Sequence, residues 1–585
     1  GEQGKAAEAQ ILQTARHAGI RLMGPNCIGV YNGFHGLNGT FFATPPVYRG
    51  NISIISQSGA FAGILINEAN RRCAGIGKVA SVGNQLDLSH QELIEYFGND
   101  DQTDVIGLYL EGVKDGGSFL SAIRKVSQIK PVVIFKAGRT RAGKRAAISH
   151  TGALAGDYQV AKAAFKQAGG LIAEDSEAFF DALFAFAAYR NRLPQGEELA
   201  IITISGGPSV AASDRCEEIG LRLAQFEPST QEFVVSCLPD IATLNNPLDM
   251  TVSIPPDQLG PCIDSIIKDP QVAGAISINW GWDPVEFAEA FVNASALHQK
   301  PVLAFASENE AVQQIFRENG IMNFPSPERA VDGFGMLLEY NRQRQKTLPS
   351  PGWTGAGKGP ALLSEYAQKG NSILDEFETK QILSAQGIPC CREELVETLE
   401  EAQGAAKQIG YPVVLKVCAR EIAHKSERGG VATGITDAEA LRRAWKEMSS
   451  AFSQTRRFLL QEQVAAGIEI IVGIKFDETF GPTIAFGLGG IWAELYRDVS
   501  LRVCPLSRAD ALEMIREIQG YPALKGWRGR PGADEAVLCD ILLRIGELGA
   551  AAEVIAEMDI NPLIVNGSST KIVDAMIVLR PLPES

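Results

Sequence analysis

Nowhere does the chain carry an apolar run approaching the 18 or so residues that a membrane-spanning helix needs, so no helical span is expected. No secretory leader is visible either. Basic residues are the minority, with 54 Lys and Arg against 69 Asp and Glu and a formal charge of -15. Phosphate backbones select basic surfaces, so this balance argues against nucleic acid as a partner, and against an anionic membrane surface. The ten cysteines are scattered without a Cys-x-x-Cys, and the adjacent Cys390 and Cys391 are poorly placed to bond each other. Such usage points to reduced thiols in a cytoplasmic protein rather than to a disulfide framework. Only six histidines are present, none paired at ligand spacing, which leaves no zinc constellation. The chain starts without methionine inside a helical stretch, Gly4 to Ala18, and is expected to lack a preceding portion.

What is there suits a multidomain α/β protein. At 585 residues, about three to five domains are expected. Its 45% hydrophobic and 21% charged content is that of globular chains. A strand is predicted at Arg21-Leu22-Met23, followed by the turn Gly24-Pro25-Asn26-Cys27. From Asn51 the pattern becomes strand, glycine turn, helix, which predicts a doubly wound parallel sheet to about residue 190. Its first strand, Ile52 to Ile55, leads into Ser56-Gln57-Ser58-Gly59, where a helix start can meet an anion; N-capping accounts for Ser56 and Ser58 equally well. The turn Gly83-Asn84-Gln85-Leu86-Asp87 reads as a second ligand-facing turn. The strand Val105 to Leu110 ends at Glu111, at the strand terminus where such folds place ligands. The alternation repeats from Leu199 to about Tyr340, with Ser205-Gly206-Gly207-Pro208 at another helix start. A Pro- and Gly-rich linker follows at 346–361. Beyond it Asp375 to Lys380 opens an amphipathic helix, and Val413 to Val417 is a buried strand with Lys416 inside it. A lysine there needs an anionic partner or must snorkel.

The central stretch is Ile148-Ser149-His150-Thr151-Gly152-Ala153-Leu154-Ala155-Gly156. Ser149 and Thr151 can donate to phosphoryl oxygens, and Gly152 lets backbone approach closely, a set suited to a phosphorylated imidazole. At the far end, Asn561 in Asp559-Ile560-Asn561-Pro562-Leu563 and Asp574 in Ile572-Val573-Asp574-Ala575 offer hard oxygen ligands for Mg²⁺ on adjacent strands. A hairpin turning at Asn566-Gly567 explains their spacing.

His150-Thr151-Gly152-Ala153-Leu154-Ala155-Gly156 resembles the active-site loop of the NDP-forming acyl-CoA synthetases, related to succinyl-CoA synthetase and ADP-forming acetyl-CoA synthetase. Motifs occur in that family's order from Gly24 to Asp574. The resemblance implies a truncated Rossmann-like CoA-binding domain at 1–45 and a ligase domain with the phosphohistidine loop at 46–195. A second flavodoxin-like domain at 196–345, a linker at 346–362 and an ATP-grasp module at 363–585 would follow. It implies that His150 carries phosphate, oriented by Glu111, which stands 39 positions upstream (150 − 111). Ser56, Ser58, Gly59, Ser149, Thr151, Gly152, Gly206 and Gly207 would hold that phosphate, with Asn26 and Cys27 beside CoA. In His424-Lys425-Ser426-Glu427-Arg428-Gly429-Gly430-Val431, His424 matches a second, swinging phosphohistidine of the ADP-forming branch. Lys416, Glu462, Gly489, Gly490 and Arg502 would bind nucleotide, and Asn561 with Asp574 would hold Mg²⁺.

The function implied is ATP-dependent, ADP-forming ligation of a carboxylic acid to coenzyme A, with ATP, Mg²⁺ and CoA required. Two rivals stay open: a lyase that cleaves its substrate after ligation, and a non-catalytic acyl-CoA or nucleotide sensor on the same fold. Retention of His150, Lys416 and Asp574 favours the enzyme. Which acid is used, ATP against GTP, and whether the chain forms a homo-oligomer are open at this stage.

Overall fold

The computed structural model describes residues 2–145, 157–239, 242, 244–281, 284–345, 357–420, 428–490, 498–526, 531–551, 554–567 and 569–581. They form two compact units, the first Gly1–Tyr158 with Ala168–Thr347, the second Gln159–Gln167 with Leu348–Ser585. Among the described residues no helix is long and apolar enough to cross a membrane. All ten cysteines are free.

The first unit holds two sheets. Strands β1 (Gly29–Asn32), β2 (Leu37–Thr40), β3 (Ile52–Ser56), β4 (Ile76–Ser81), β5 (Val105–Leu110), β6 (Val132–Lys136) and β7 (Leu171–Ile172) make one. Its order is β2-β1-β4-β3-β5-β6-β7. The five strands β3 to β7 are mutually parallel, while β1 pairs antiparallel with β4 and β2. Parallel order 4-3-5-6-7 is the flavodoxin-like winding, whose switch point lies between β3 and β5. Near-continuous Ile and Val in β3, β5 and β6 follow from burial on both faces.

Two expectations change here. Residues 29–40, assigned from sequence to a leading CoA-binding domain, instead hydrogen-bond into this sheet through β1. Arg21 to Met23 form no strand, because the Leu22 N–H goes to the Asp87 carboxylate and the Leu22 carbonyl accepts from Leu88.

The second sheet comprises β8 (Glu198–Thr203), β9 (Arg222–Leu223), β10 (Leu248–Asp249), β11 (Gly274–Trp280) and β12 (Val302–Ser307). Its order is β10-β8-β11-β12 with β9 also beside β8, all parallel, which puts the switch point between β8 and β11. The Asn246 side chain accepts from Ile201 N and donates to Leu199 O and Ala224 O, pinning the strand edges together. One apolar core runs under both sheets through the helices Ser176–Tyr189 and Pro327–Gln345, from Ile52 and Phe179 to Leu199 and Tyr340. Buried ions reinforce it, since Asp181 receives both Arg72 and Arg329.

His90, in the capped helix His90–Gly98, is buried edge-on against Phe119, and its Nε2 has no partner among the described residues. Burial, and then the Lys114 cation, lower its pKa from 6.5 to about 3. A depressed folded value means that stability is full above the unfolded value of 6.5 and is lost as pH falls toward 3. Between about pH 6.5 and about pH 5 the loss is on the order of 2 kcal/mol. Urea unfolding of His90→Phe is expected to lack this acid-side decline. An unchanged pH slope would show that His90 does not titrate in this way.

The second unit holds two antiparallel sheets. Strands β13 (Ile373–Leu374), β18 (Ile468–Asp477), β19 (Gly481–Leu488), β20 (Val499–Val503), β21 (Ile555–Asn566), β22 (Ser569–Ile572) and β23 (Ala575–Leu579) form the larger. It runs β13-β23-β21-β18-β19-β20, with β22 on β21. Strands β14 (Glu393–Val396), β15 (Val413–Val417), β16 (Val431–Ile435) and β17 (Phe458–Glu462) form the smaller, ordered β14-β17-β15-β16. The β21–β22 hairpin turns where expected, with Asn566 opposite Ser569 and Gly567 at φ 60°, the left-handed region that glycine tolerates.

Candidate functional site

At the switch point of the first sheet, β3 and β5 deliver two polar segments side by side. Glu111 is 6% exposed, and its Oε2 has no hydrogen-bond partner among the described residues. Its backbone is fixed from both sides. Gln57 Oε1 accepts from Glu111 N and Gly112 N, and buried Lys136 Nζ donates 2.8 Å to Glu111 O. Burial lowers the Lys136 pKa to about 8, against the pull of Glu111. A buried carboxylate without a partner among the described residues needs a donor from a ligand or from another segment. Gln57 lies in the Ser56–Gly59 helix start, but its pairing and that of Lys136 with Glu111 spans three strands and leaves no local signal.

The helix starts carry less free hydroxyl than the sequence suggested. Ser56 Oγ donates 2.6 Å to Ser58 O and accepts from Ser58 N, and Ser58 Oγ caps the helix Gly59–Arg71 by accepting from Phe61 N. A Cβ at Gly59 would lie 2.4 Å from the Ile28 side chain, so that glycine serves close packing. Thr203 and Ser205 repeat the device at β8, with Thr203 Oγ1 2.9 Å from both Ser205 O and Ser205 N. There the helix Gly206–Glu218 has no side-chain cap, and a Cβ on Gly206 would sit 3.0 Å from Asp249 Oδ2 while Gly207 is open. Ser56 has thus engaged its O–H, whereas Ser58 Oγ only accepts in its cap, so these turns offer an anion backbone N–H groups and the Ser58 O–H rather than the Ser56 hydroxyl. Ser149, His150, Thr151 and Gly152 lie outside the described residues, as does His424.

Asn26, at φ 58°, and Cys27 sit on a turn docked against 83–88. Asn84 N bonds Pro25 O, Leu86 N bonds Gly24 O, and Asn26 Nδ2 reaches Asn84 Oδ1 at 3.4 Å. The Gly83 turn thus supports the Asn26 turn rather than standing as a separate ligand loop.

In the second unit, Lys416 is 4% exposed and points its Nζ at Glu376 Oε1 (2.8 Å), Val573 O (3.0 Å) and Asp574 Oδ2 (3.6 Å). The anionic partner required of a buried lysine is present, so Lys416 does not snorkel. Asn561 N donates to Asp574 O at 3.1 Å, which sets both expected metal ligands on one edge. Asp559 lies two positions before Asn561, and burial, then Asp574 and Glu557, raise its carboxyl. Among the described residues no group of three or more His, Cys, Asp or Glu side chains could hold a metal by itself. One carboxylate plus an amide oxygen is a donor set that Mg²⁺ takes when phosphates complete its shell.

Glu462 accepts from Lys571 Nζ (2.6 Å) and Arg392 N (2.8 Å) at the end of β17. Gly489 packs on Glu469, donating its N–H 2.7 Å to Glu469 O, with Gly490 at φ 70°. Arg502 differs from expectation. Its guanidinium is 4% exposed and held by Glu517 (2.6 Å) and Glu513 (3.5 Å), so it is neutralised within the chain rather than open to a phosphate.

Family models agree with this layout. A succinyl-CoA ligase like flavodoxin domain matches residues 49–186, a Ligase-CoA domain 199–345 and an ATP-grasp domain 365–579. An ADP-forming acetate–CoA ligase of Archaeoglobus fulgidus is 34% identical over 591 residues, covering 99% of this chain and 85% of the relative. The chain belongs to the ADP-forming acid–CoA ligase family. A second member, the ADP-forming 4-hydroxybutyrate–CoA ligase of Nitrosopumilus maritimus, is 30% identical over 99% of this chain and 85% of its own. Among solved structures, a dinucleotide-forming acetyl-coenzyme A synthetase of Ca. Korarchaeum cryptofilum, in complex with phosphate and ADP, is similar. It matches with a TM-score of 0.53 at 33% identity over 58% of this chain and 74% of that one. As an ADP-forming ligase, the chain has its Glu111 region within the flavodoxin match and its Lys416–Asp574 region within the ATP-grasp match.

Proposed function

We propose that this chain joins a carboxylic acid to coenzyme A while converting ATP to ADP and phosphate, with two histidines as phosphoryl carriers. In the synthetic direction a nitrogen of His424 attacks the γ-phosphorus and ADP leaves. His150 then takes the phosphoryl group from His424, and the substrate carboxylate takes it from His150 to give an acyl phosphate. The CoA thiolate attacks the acyl carbon and phosphate departs. Carriers are required because a phosphoryl group released into water between sites would be lost to hydrolysis.

The observation that supports this reading is Glu111, a buried carboxylate at the switch point whose Oε2 has no partner among the described residues, 39 positions (150 − 111) before His150. Such a carboxylate can hold one imidazole nitrogen and leave the other nucleophilic. Lys416 would hold nucleotide phosphates. Mg²⁺ on Asn561 and Asp574 would offset phosphate charge when bound. The domain limits 46–195, 196–345 and 363–585 are retained as proposed boundaries, with 29–40 added to the first. The relatives of matching length act on different acids by name, acetate and 4-hydroxybutyrate, so the acid is left to a substrate screen.

The test is incubation with Mg²⁺ and γ-labelled ATP, followed by mapping of acid-labile, base-stable phosphate. Wild type should carry label on histidine. His150→Ala should retain label on His424, and His424→Ala should carry none from ATP. ATP binding without any phosphohistidine would overturn the reading and favour a sensor.

A further inference from the structure

Behind Lys416 lies a second buried lysine that sequence reasoning placed on an ordinary amphipathic helix. In the helix Glu376–Ala385 the buried residues include Glu376, Glu378, Thr379 and Lys380, so its charged side faces inward. Asp375 and Glu378 form a capping box that fixes the first turn, and Glu376 and Lys380 stand one turn apart on it. Lys380 Nζ lies 2.8 Å from Glu376 Oε1, 3.1 Å from Val573 O, 3.2 Å from Gln461 Oε1 and 3.6 Å from Cys391 Sγ, and it also pairs with Glu393.

Two of those acceptors are the ones Lys416 uses. Glu376 Oε1 receives both ammonium groups at 2.8 Å, and Val573 O receives Lys416 at 3.0 Å and Lys380 at 3.1 Å. Two cations around the same two oxygens repel, and burial strengthens that repulsion. Glu376 between them, Glu393 on one side and Asp574 on the other offset it. Val573 O belongs to the residue just before Asp574, whose own carbonyl takes Asn561 N. Lys380 therefore grips, through one carboxylate and one carbonyl, both the lysine aimed at phosphate and the backbone that presents the metal ligand.

We propose that Lys380 is a positioning residue that sets Lys416 and Asp574 in register for one Mg·nucleotide. It acts through Glu376 and Val573 and touches neither phosphate nor metal. This rests on the ATP-dependent reading given above. Each ammonium has three N–H donors. For Lys416, Glu376 and Val573 take two in line, leaving one on the Asp574 side. Without Lys380, Glu376 Oε1 would lose one of the two ammonium groups it receives, and Val573 O would lose one of its two donors.

The test uses full-length protein and isothermal titration of Mg·ATP, with thermal melting run beside it. Lys380→Met is expected to weaken Mg·ATP binding about 10–100-fold and to raise the Mg²⁺ concentration for half-maximal binding, the range found when supporting residues around a metal site are removed. Lys380→Arg, which keeps the charge, is expected to recover most of the affinity. Lys380→Met also leaves Glu393 buried without its cation, so the double variant Lys380→Met with Glu393→Gln separates folding from positioning. Melting recovered with affinity still weak supports positioning. Affinity recovered along with melting, or a Lys380→Met variant that binds like wild type, overturns it. Wild type that binds no Mg·ATP would instead overturn the ATP-dependent reading itself.

Discussion

Glu111→Gln is expected to lower kcat for acyl-CoA formation by about 10²–10⁴-fold, the range that a positioned acid–base or orienting group contributes. The change keeps size and leaves the Gln57 and Lys136 contacts, which go to Glu111 backbone atoms. What it removes is the carboxylate's negative charge at Oε2, the buried atom without a partner among the described residues. A carboxylate stabilises an imidazole that carries charge during transfer, whereas an amide can present the wrong dipole and accept less strongly. ATP-driven labelling of His424 should continue at its normal rate, because Glu111 lies in the first unit and the nucleotide groups in the second. Quenched-flow labelling would show phosphate held on His424 and slow to reach product. Normal kcat in this variant would remove Glu111 from the transfer.

Asp574→Asn should raise the Mg²⁺ needed for half-maximal labelling of His424 about 10–100-fold. A hydrogen bond or ligand contact to a charged group is worth about 1.5–3 kcal/mol, and each factor of ten is about 1.4 kcal/mol. The amide keeps the side chain's shape, and Asn561 N can still bond the residue 574 carbonyl, since that contact is backbone to backbone. Saturating Mg²⁺ should therefore recover much of the rate. Lys416→Met is the contrast, because a missing phosphate-side cation is not replaced by more Mg²⁺. A variant at 574 with an ordinary Mg²⁺ dependence would place the metal elsewhere.

Much of this could be read from the chain. Parallel strands announced themselves as Ile- and Val-rich runs, since burial on both faces demands such residues, and the Asn566-Gly567 turn fixed the hairpin by backbone conformation alone. Glu111 was legible because it closes an apolar strand. Less legible were features made by partners distant in sequence. Asp375 to Lys380 has a helical pattern that says which residues share a face but not which face turns inward, so the buried Glu376–Lys380 pair was missed. Arg502 sits in a nucleotide-like motif, yet Glu513 and Glu517 on the following helix neutralise it. Residues 29–40 precede the first parallel strand, and nothing in their composition tells a separate domain from an added edge.

The shared acceptors of Lys416 and Lys380 also order events during synthesis. Glu376 emerges 197 residues before Val573 (573 − 376), and the two lysines emerge in between. At about 5–20 residues per second, translation separates these groups by roughly 10–40 s. From its own synthesis until the end of that interval Lys416 lacks Val573 O and Asp574, and Asn561, made only 13 residues before Asp574 (574 − 561), waits for the carbonyl that it donates to. A nascent chain thus has Lys416 and its supporting Lys380 already made while their arrangement is still incomplete. ATP, abundant around every ribosome, meets a finished cradle only after the last sheet strands have paired.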